Sequence, residues 1–132
     1  MAGKWLSRLL GDKGERAAVR FLKQLGYSII ARQYRTDQGE IDVIALDGET
    51  VVFIEVKTRK SDAKGQPYEA VTLQKQKQLT RLAGIFLKKQ QLLSQPARFD
   101  VISIVWGAGQ SQPEIQHFQN AFSPSGEFQF YT

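Results

Sequence analysis

The chain has 132 residues, of which 42% are hydrophobic and four are proline, a composition typical of one globular domain rather than of a disordered chain. It has no cysteine and one histidine, which excludes disulfides, cysteine-ligated zinc and iron–sulfur clusters, so carboxylates remain as ligands for a metal ion. The net charge of +5 favours a polyanionic partner such as nucleic acid. No apolar run reaches the length of a membrane span or a signal sequence, and we expect a cytoplasmic protein without membrane contact.

The N-terminal residues predict a short extension followed by a helix. Trp5 to Leu10 could form an amphipathic turn that ends at Gly11, and a helix is predicted from Asp12 to Leu25. Glu15 lies in the first turn of this helix. By its position alone it is expected to cap the helix or to interact with the helix dipole.

Three strands are predicted next. The first is Tyr27 to Gln33, and it is followed by a polar connection in which Arg35 either lies on a solvated edge or contacts phosphates. The other two, Ile41 to Leu46 and Val51 to Val56, are rich in β-branched residues and are joined by Asp47-Gly48, a strong signal for a hairpin turn.

Charged residues interrupt this apolar hairpin: Glu40, Asp42, Glu55, Lys57 and Arg59. Because side chains alternate along a strand, Glu40 and Asp42 share one face of the first strand, as do Glu55, Lys57 and Arg59 on the second. The two-residue loop Asp47-Gly48 would place Glu40 opposite Glu55, whereas a four-residue loop would place Asp42 opposite Glu55. Both registers gather the charges on one face, and the sequence leaves both open.

Carboxylates this close repel each other, so the arrangement predicts a bound cation. Oxygen ligands suit a hard ion, and Mg²⁺ is the expected one, with Mn²⁺ as the alternative. The ammonium of Lys57 would orient a water molecule or stabilise charge on a phosphate. Arg59 is a candidate phosphate contact.

The next segments predict a loop and a long helix. Ser61 to Pro67 has the composition of a loop and is a candidate flap over a substrate. Glu69 to Gln90 has apolar residues at helical spacing. Lys75 lies one turn before the first residue of this apolar stripe, so it either extends to solvent or contacts a phosphate or carboxylate in the site.

The C-terminal part predicts two more strands and a tail. Arg98 to Trp106 is nearly continuously apolar and is expected to be a central strand, and Glu114 to Ala121 is expected at an edge. Asp100 is expected to pair with the neighbouring arginine or a backbone donor. His117 is expected on the edge strand, and we assign no chemistry to it.

A short residue signature and a set of longer segments both resemble known families. The spacing of Asp42, Glu55 and Lys57, with twelve residues and then one between them, resembles the D…(D/E)-x-K signature of the PD-(D/E)XK nuclease superfamily, with Ile41 in place of the usual proline. Longer segments resemble the YraN family, bacterial proteins similar to Holliday-junction resolvases, from about Lys13 to Phe122. These segments are GE (14–15), GY (26–27), GEIDVIA (39–45), VFIEVKTR (52–59), EAV (69–71) and RFDVI (98–102).

The resemblance implies a restriction-endonuclease-like α/β fold with a mixed central sheet flanked by helices, in the order α-β-β-β-α-β-β. One domain would span residues 12–122, between an extension at 1–11 and a tail at 123–132. The resemblance also makes Glu15 a ligand beside Asp42 and Glu55, with Lys57 as the catalytic cation. Glu40 would support these residues without contacting the ion.

We therefore expect a Mg²⁺-dependent endonuclease that hydrolyses phosphodiesters of DNA, including branched DNA. A two-fold junction as substrate would favour a homodimer. Two alternatives remain open: a module of this fold that binds nucleic acid without cleaving it, and a protein-interaction subunit that uses the N-terminal extension.

Overall fold

The computed structural model describes residues 2–60 and 71–124, with side chains from residue 9 onward. The predicted flap at 61–67 and the tail from residue 125 lie outside the described residues. Two helices and five strands follow one another in the predicted order. They are α1 (Ala2–Gln24), β1 (Ser28–Thr36), β2 (Gly39–Asp47), β3 (Thr50–Lys60), α2 (Leu73–Lys89), β4 (Ala97–Trp106) and β5 (Glu114–Phe122).

The strands form one mixed sheet in the order β1-β2-β3-β4-β5. The pair β3–β4 is parallel and the other three pairs are antiparallel. A parallel pair needs a crossover connection, and α2 lies in the connection between β3 and β4. The expected α/β fold with a mixed sheet flanked by helices is confirmed.

The helix α1 is longer than predicted. It runs without interruption from Ala2 to Gln24, so the predicted break at Gly11 and the helix start at Asp12 are wrong. A single glycine inside a helix costs only about 1 kcal/mol relative to alanine, which the neighbouring helical hydrogen bonds outweigh. Within the described residues, neither helix is both long and apolar enough to cross a membrane.

Each face of the sheet is covered by one helix, because the strands alternate apolar residues between the two sides. On one side α1 packs against β2, β3 and β4 through Ala17, Ala18, Val19, Leu22, Val43, Ala45, Val52, Ile54, Ile102 and Ile104. On the other side α2 packs through the predicted stripe of Leu79, Leu82, Ala83, Phe86 and Leu87 against Ile44, Val51, Phe53, Phe99 and Val101.

A buried polar network attaches the edge strand β5 to the sheet. Asp100 is fully buried and accepts hydrogen bonds from Arg98 Nε at 3.0 Å and from the Asn120 N–H at 2.9 Å. The His117 ring nitrogen Nε2 lies 2.7 Å from Asp100 Oδ2. Burial opposes ionisation, but the hydrogen bonds from His117, Arg98 and Asn120 prevail and lower the pKa of Asp100. The predicted pairing of Asp100 is confirmed, and the role of His117 in it was not foreseen.

Candidate functional site

The hairpin β2–β3 sets the geometry of the site. Asp47 pairs with Thr50, so the chain turns through Gly48 and Glu49, and Gly48 has the positive φ of 61° that the first position of such a turn favours. This is the register in which Asp42 lies across from Glu55, the second of the two predicted registers. The paired part of the hairpin ends at Val43 and Ile54.

Beyond this last pair, a side-chain hydrogen bond takes the place of the backbone hydrogen bonds between the two strands. Asp42 Oδ2 accepts a hydrogen bond of 2.8 Å from the backbone N–H of Val56, a donor that would otherwise lack its cross-strand partner. The bond holds the Asp42 carboxylate at the point where the two strands separate. The acid is therefore positioned by the backbone of β3, the strand that supplies Glu55 and Lys57.

Glu55 and Lys57 lie on β3 next to this point. The two residues are separated by one position, so alternation along β3 places both on the same face of the strand. Glu55 is 8% exposed, and its Oε1 lies 3.8 Å from Lys57 Nζ. Its other oxygen, Oε2, is buried and has no hydrogen-bond partner in the part of the chain that the structure describes. A buried carboxylate oxygen without a donor is costly, and it indicates a position where a cation would be favourable.

Glu15 approaches from α1 and is 6% exposed. Its two carboxylate oxygens are held separately, Oε1 by Arg32 Nε at 3.2 Å and Oε2 by Gln33 Nε2 at 3.3 Å. Gln33 has a positive φ of 51°, which is uncommon for a residue other than glycine and marks a local irregularity in β1. Glu15 therefore has protein partners where the resemblance implied a metal ligand.

The carboxylates influence one another electrostatically. Burial raises the pKa of Asp42 to about 7, and the charge of Glu55 adds to this rise, as do the charges of Glu15 and Glu40. The hydrogen bond from the Val56 N–H acts in the opposite direction. Burial and the neighbouring negative charges thus favour the protonated form of Asp42 in the absence of a cation.

An open cavity of about 430 Å³ lies over these residues. Its lining comes from α1, β1, β2 and β3 and consists of Leu10, Gly11, Asp12, Glu15, Gln33, Arg35, Glu40, Asp42, Val56, Lys57 and Thr58. We call this cavity the carboxylate cleft. Of the residues predicted from the sequence, Asp42 and Glu15 as ligands, Lys57 as catalytic cation, Glu40 as supporting acid and Arg35 as phosphate contact line this cavity. The predicted ligand Glu55 is buried and is not part of the lining.

The remaining predicted site residues lie in different surroundings. At the mouth of the carboxylate cleft, Arg35 Nε forms an ion pair of 3.2 Å with Glu40 Oε2, which neutralises both predicted residues. Arg59 lies two residues beyond Lys57, near the end of β3. Lys75 does not point to the hairpin acids as the sequence suggested. It lines another cavity, beside α2, and is not among the residues that line the carboxylate cleft.

The donor set fits a divalent ion in part. Asp42 and Glu55 are hard oxygen ligands, one with a raised pKa and one with a partnerless buried oxygen, and both features favour a cation between them. Within residues 2–60 and 71–124, no three acidic or histidine side chains are arranged to hold one ion together. Mg²⁺ is commonly held by one or two carboxylates with water and substrate phosphates as its other ligands, so this pair is sufficient in principle.

Sequence reasoning missed the partners that orient the acids. Arg32 and Gln33 hold Glu15, and the backbone N–H of Val56 holds Asp42. A polar residue in an exposed strand carries no signal of a contact with a helix that is distant in sequence. The contact of the Val56 N–H had one hint in the sequence: an acid, Asp42, interrupts the otherwise apolar strand β2 that pairs with β3.

Proteins of similar sequence, matched over most of their length, occur in several bacteria. A family model described as "Uncharacterised protein family UPF0102" matches residues 14–104. A UPF0102 protein of Geobacter metallireducens is 49% identical over 116 residues, which cover 88% of this chain and 93% of the relative. A UPF0102 protein of Geotalea uraniireducens is 46% identical over 88% of this chain and 91% of the relative. One from Caldicellulosiruptor saccharolyticus is 44% identical over 87% of this chain and 98% of its own length. The chain therefore belongs to the UPF0102 family, the YraN family that its motifs indicated.

Proposed function

We propose that the protein is a metal-dependent nuclease that hydrolyses phosphodiester bonds of DNA, with the carboxylate cleft as its active site. The observation that supports this most directly is the arrangement of Asp42, Glu55 and Lys57. A partly buried acid held by a backbone N–H, Asp42, lies next to a buried acid with an unpartnered oxygen, Glu55, and an ammonium lies beside this second acid. A purely structural site would gain nothing from two neighbouring acids, one of which has a buried oxygen without a hydrogen-bond donor.

In this proposal Asp42 and Glu55 hold a divalent ion, Mg²⁺ or Mn²⁺. When bound, such an ion supplies positive charge that stabilises the phosphoryl oxygens during bond cleavage. The backbone of Val56 keeps the Asp42 carboxylate in position before substrate arrives, so little reorganisation is needed. The raised pKa of Asp42 implies that loading with metal releases a proton near neutral pH.

Lys57 contributes a different interaction. Its ammonium lies 3.8 Å from Glu55 and lines the cleft, so it can donate a hydrogen bond to a phosphate oxygen or to the attacking water. A cation placed where negative charge develops lowers the barrier without taking part in metal binding. Glu15 would join the site only after release from Arg32, and it then acts as a further ligand or as a positioning residue.

One observation favours a second candidate, a module that binds nucleic acid without cleaving it. Both oxygens of Glu15 are already engaged by Arg32 and Gln33, and Glu40 is paired with Arg35. These contacts neutralise acids that would otherwise repel a phosphate backbone. A binder would benefit from this neutralisation, whereas a nuclease needs Asp42 and Glu55 to stay available.

The experiment is a cleavage assay on single-stranded, duplex, flap and four-way-junction DNA, and on RNA, with Mg²⁺, Mn²⁺ or a chelator. The test variant is Glu55→Gln, which keeps the shape of the side chain but removes its charge. The matched control is Glu49→Gln in the exposed β2–β3 turn. Binding of each protein to the same substrates is measured in chelator by fluorescence anisotropy.

We expect cleavage that requires the divalent ion, a loss of orders of magnitude in Glu55→Gln, and an unchanged rate in the control. Binding in chelator should persist in both variants. If wild-type protein binds these substrates but cleaves none of them with either ion, the non-catalytic module is the better proposal. Cleavage by Glu55→Gln at the wild-type rate would contradict the assignment of the site.

A further inference from the structure

A second cavity, at the start of α2, has a volume of about 600 Å³ and is larger than the carboxylate cleft. Its side chains come from the β1–β2 turn and the first half of α2, and the ones that matter here are Gln38, Gln74, Lys75, Lys77, Gln78 and Arg81. We call it the α2 groove. Each of the described side chains that line it is polar or basic, and none is acidic.

The helix that forms the groove has an unusual charge pattern. Its seventeen residues include Lys75, Lys77, Arg81, Lys88 and Lys89 but no acidic residue. Lys77 and Arg81 are exposed and four residues apart, a like-charge spacing that destabilises a helix by a few tenths of a kcal/mol. Within the described part of the chain, the ion pairs lie elsewhere in the fold. Lys88 and Lys89 lie in the last turn, where a cation interacts favourably with the helix dipole, whereas Lys77 and Arg81 lie too far from that end to do so.

The polar side chains form a regular stripe. Gln74, Lys77, Gln78 and Arg81 recur at the spacing of one helical face, while the apolar stripe that begins at Leu79 faces the sheet. Amide and basic side chains are the groups that proteins commonly use to contact phosphates and sugars. A protein partner would require apolar or aromatic anchors, which the described lining of the groove lacks.

Residues in or next to the β1–β2 turn line both the groove and the cleft. Gln78 Nε2 donates a hydrogen bond of 2.7 Å to the carbonyl of Gln38, which attaches α2 to this turn. Gln38 lines the groove, whereas Arg35 and Glu40, on the two strands that enter and leave the turn, line the cleft. A chain that enters the cleft can therefore continue over the turn into the groove.

We propose that the α2 groove binds the phosphodiester backbone of nucleic acid a few nucleotides away from the phosphate in the carboxylate cleft. Lys77 and Arg81 supply the phosphate contacts, and Gln74 and Gln78 supply hydrogen bonds. The groove contributes affinity that does not depend on sequence, and it sets the path of the strand relative to the cleft. This inference rests on the proposed function for the identity of the cleft, but it can be tested without cleavage.

The test is binding of a fluorescent duplex DNA, and of the same sequence as a single strand, in chelator at several salt concentrations. The variant Lys77→Gln/Arg81→Gln is compared with Lys88→Gln/Lys89→Gln, which removes the same charge from the last turn of the same helix. Each phosphate contact contributes a slope of about 0.9 to the salt dependence for duplex DNA. Two lost contacts should reduce the slope by nearly two, which corresponds to roughly thirtyfold weaker binding at about 0.15 M salt. Circular dichroism checks that both variants remain folded.

The possible results separate this inference from the proposed function. A large loss of binding and slope in the groove variant, with little change in the control, supports the groove even if the wild type cleaves nothing. A loss of binding to the duplex with little change for the single strand identifies the duplex as the natural occupant, and the reverse identifies the single strand. Equal losses in the two variants would overturn the proposal, because they would indicate only a general charge effect. A wild-type protein that binds neither DNA would overturn it as well.

Discussion

Replacing Asp42 with asparagine should remove a pH-dependent loss of stability from the metal-free protein. Burial and the charge of Glu55 raise the pKa of Asp42 from 3.8 to about 7. Between these two values the folded protein binds the proton more tightly than the unfolded chain does. The stability that comes from protonated Asp42 is therefore fully present below about pH 4 and is lost as the pH rises through 7.

The size of this stability change follows from the pKa shift of Asp42. One pKa unit corresponds to about 1.4 kcal/mol, so this residue lowers the free energy of unfolding by up to about 1.4 kcal/mol per pH unit within the window. Over the whole window the loss amounts to roughly 4 kcal/mol. Asparagine keeps an oxygen that can accept the hydrogen bond from the Val56 N–H, so the variant should lack this slope and exceed the wild type in stability at pH 8.

The assay is urea unfolding of metal-free protein at pH 5, 6, 7 and 8, followed by circular dichroism. Because other groups titrate as well, the informative quantity is the difference between wild type and Asp42→Asn at each pH. Asp37→Asn, at an exposed position in the β1–β2 turn, serves as the control. Its free energy of unfolding should change with pH in the same way as that of the wild type. Added Mg²⁺ should stabilise the wild type at pH 8 and have little effect on Asp42→Asn. A variant whose stability follows the wild type at every pH would refute the assignment of Asp42 as an acid destabilised by its surroundings.

Three further predictions concern catalysis and packing. Lys57→Ala should reduce Mg²⁺-dependent cleavage by roughly 10²- to 10³-fold in single-turnover assays while metal still binds by calorimetry, and loss of metal binding would contradict its role. Gly14→Ala would place a methyl group against the side chain of Thr58 and should cost about 1–3 kcal/mol in urea unfolding, with partial recovery in the double variant with Thr58→Ala. Gly11→Ala, in the same helix but facing open space, should instead stabilise by about 0.5–1 kcal/mol, so equal effects at both glycines would disprove the contact. Asp100→Asn should cost roughly 3–5 kcal/mol because it removes the charge that its buried network requires, and a loss below about 1 kcal/mol would show that the network is not strongly coupled.

The sequence by itself determined the elements and their order. Runs of β-branched residues specified the strands, the apolar spacing specified α2, and the spacing of Asp42, Glu55 and Lys57 identified the residues that line or adjoin the cleft. These features depend on contacts between residues that are close in the chain, or on a short hairpin. Such interactions follow directly from the alternation of strands and the periodicity of helices.

Only the tertiary structure decided how distant segments meet. The hairpin register was open until Asp47 was seen to pair with Thr50, and the capture of Glu15 by Arg32 joins a helix to a strand seventeen residues away. The position of Lys75 outside the cleft likewise depends on where the β1–β2 turn contacts α2. The sequence pattern shows which face of an element is apolar. The direction in which its polar residues point is set by the packing of that face against elements elsewhere in the chain, and this packing is a property of the whole fold.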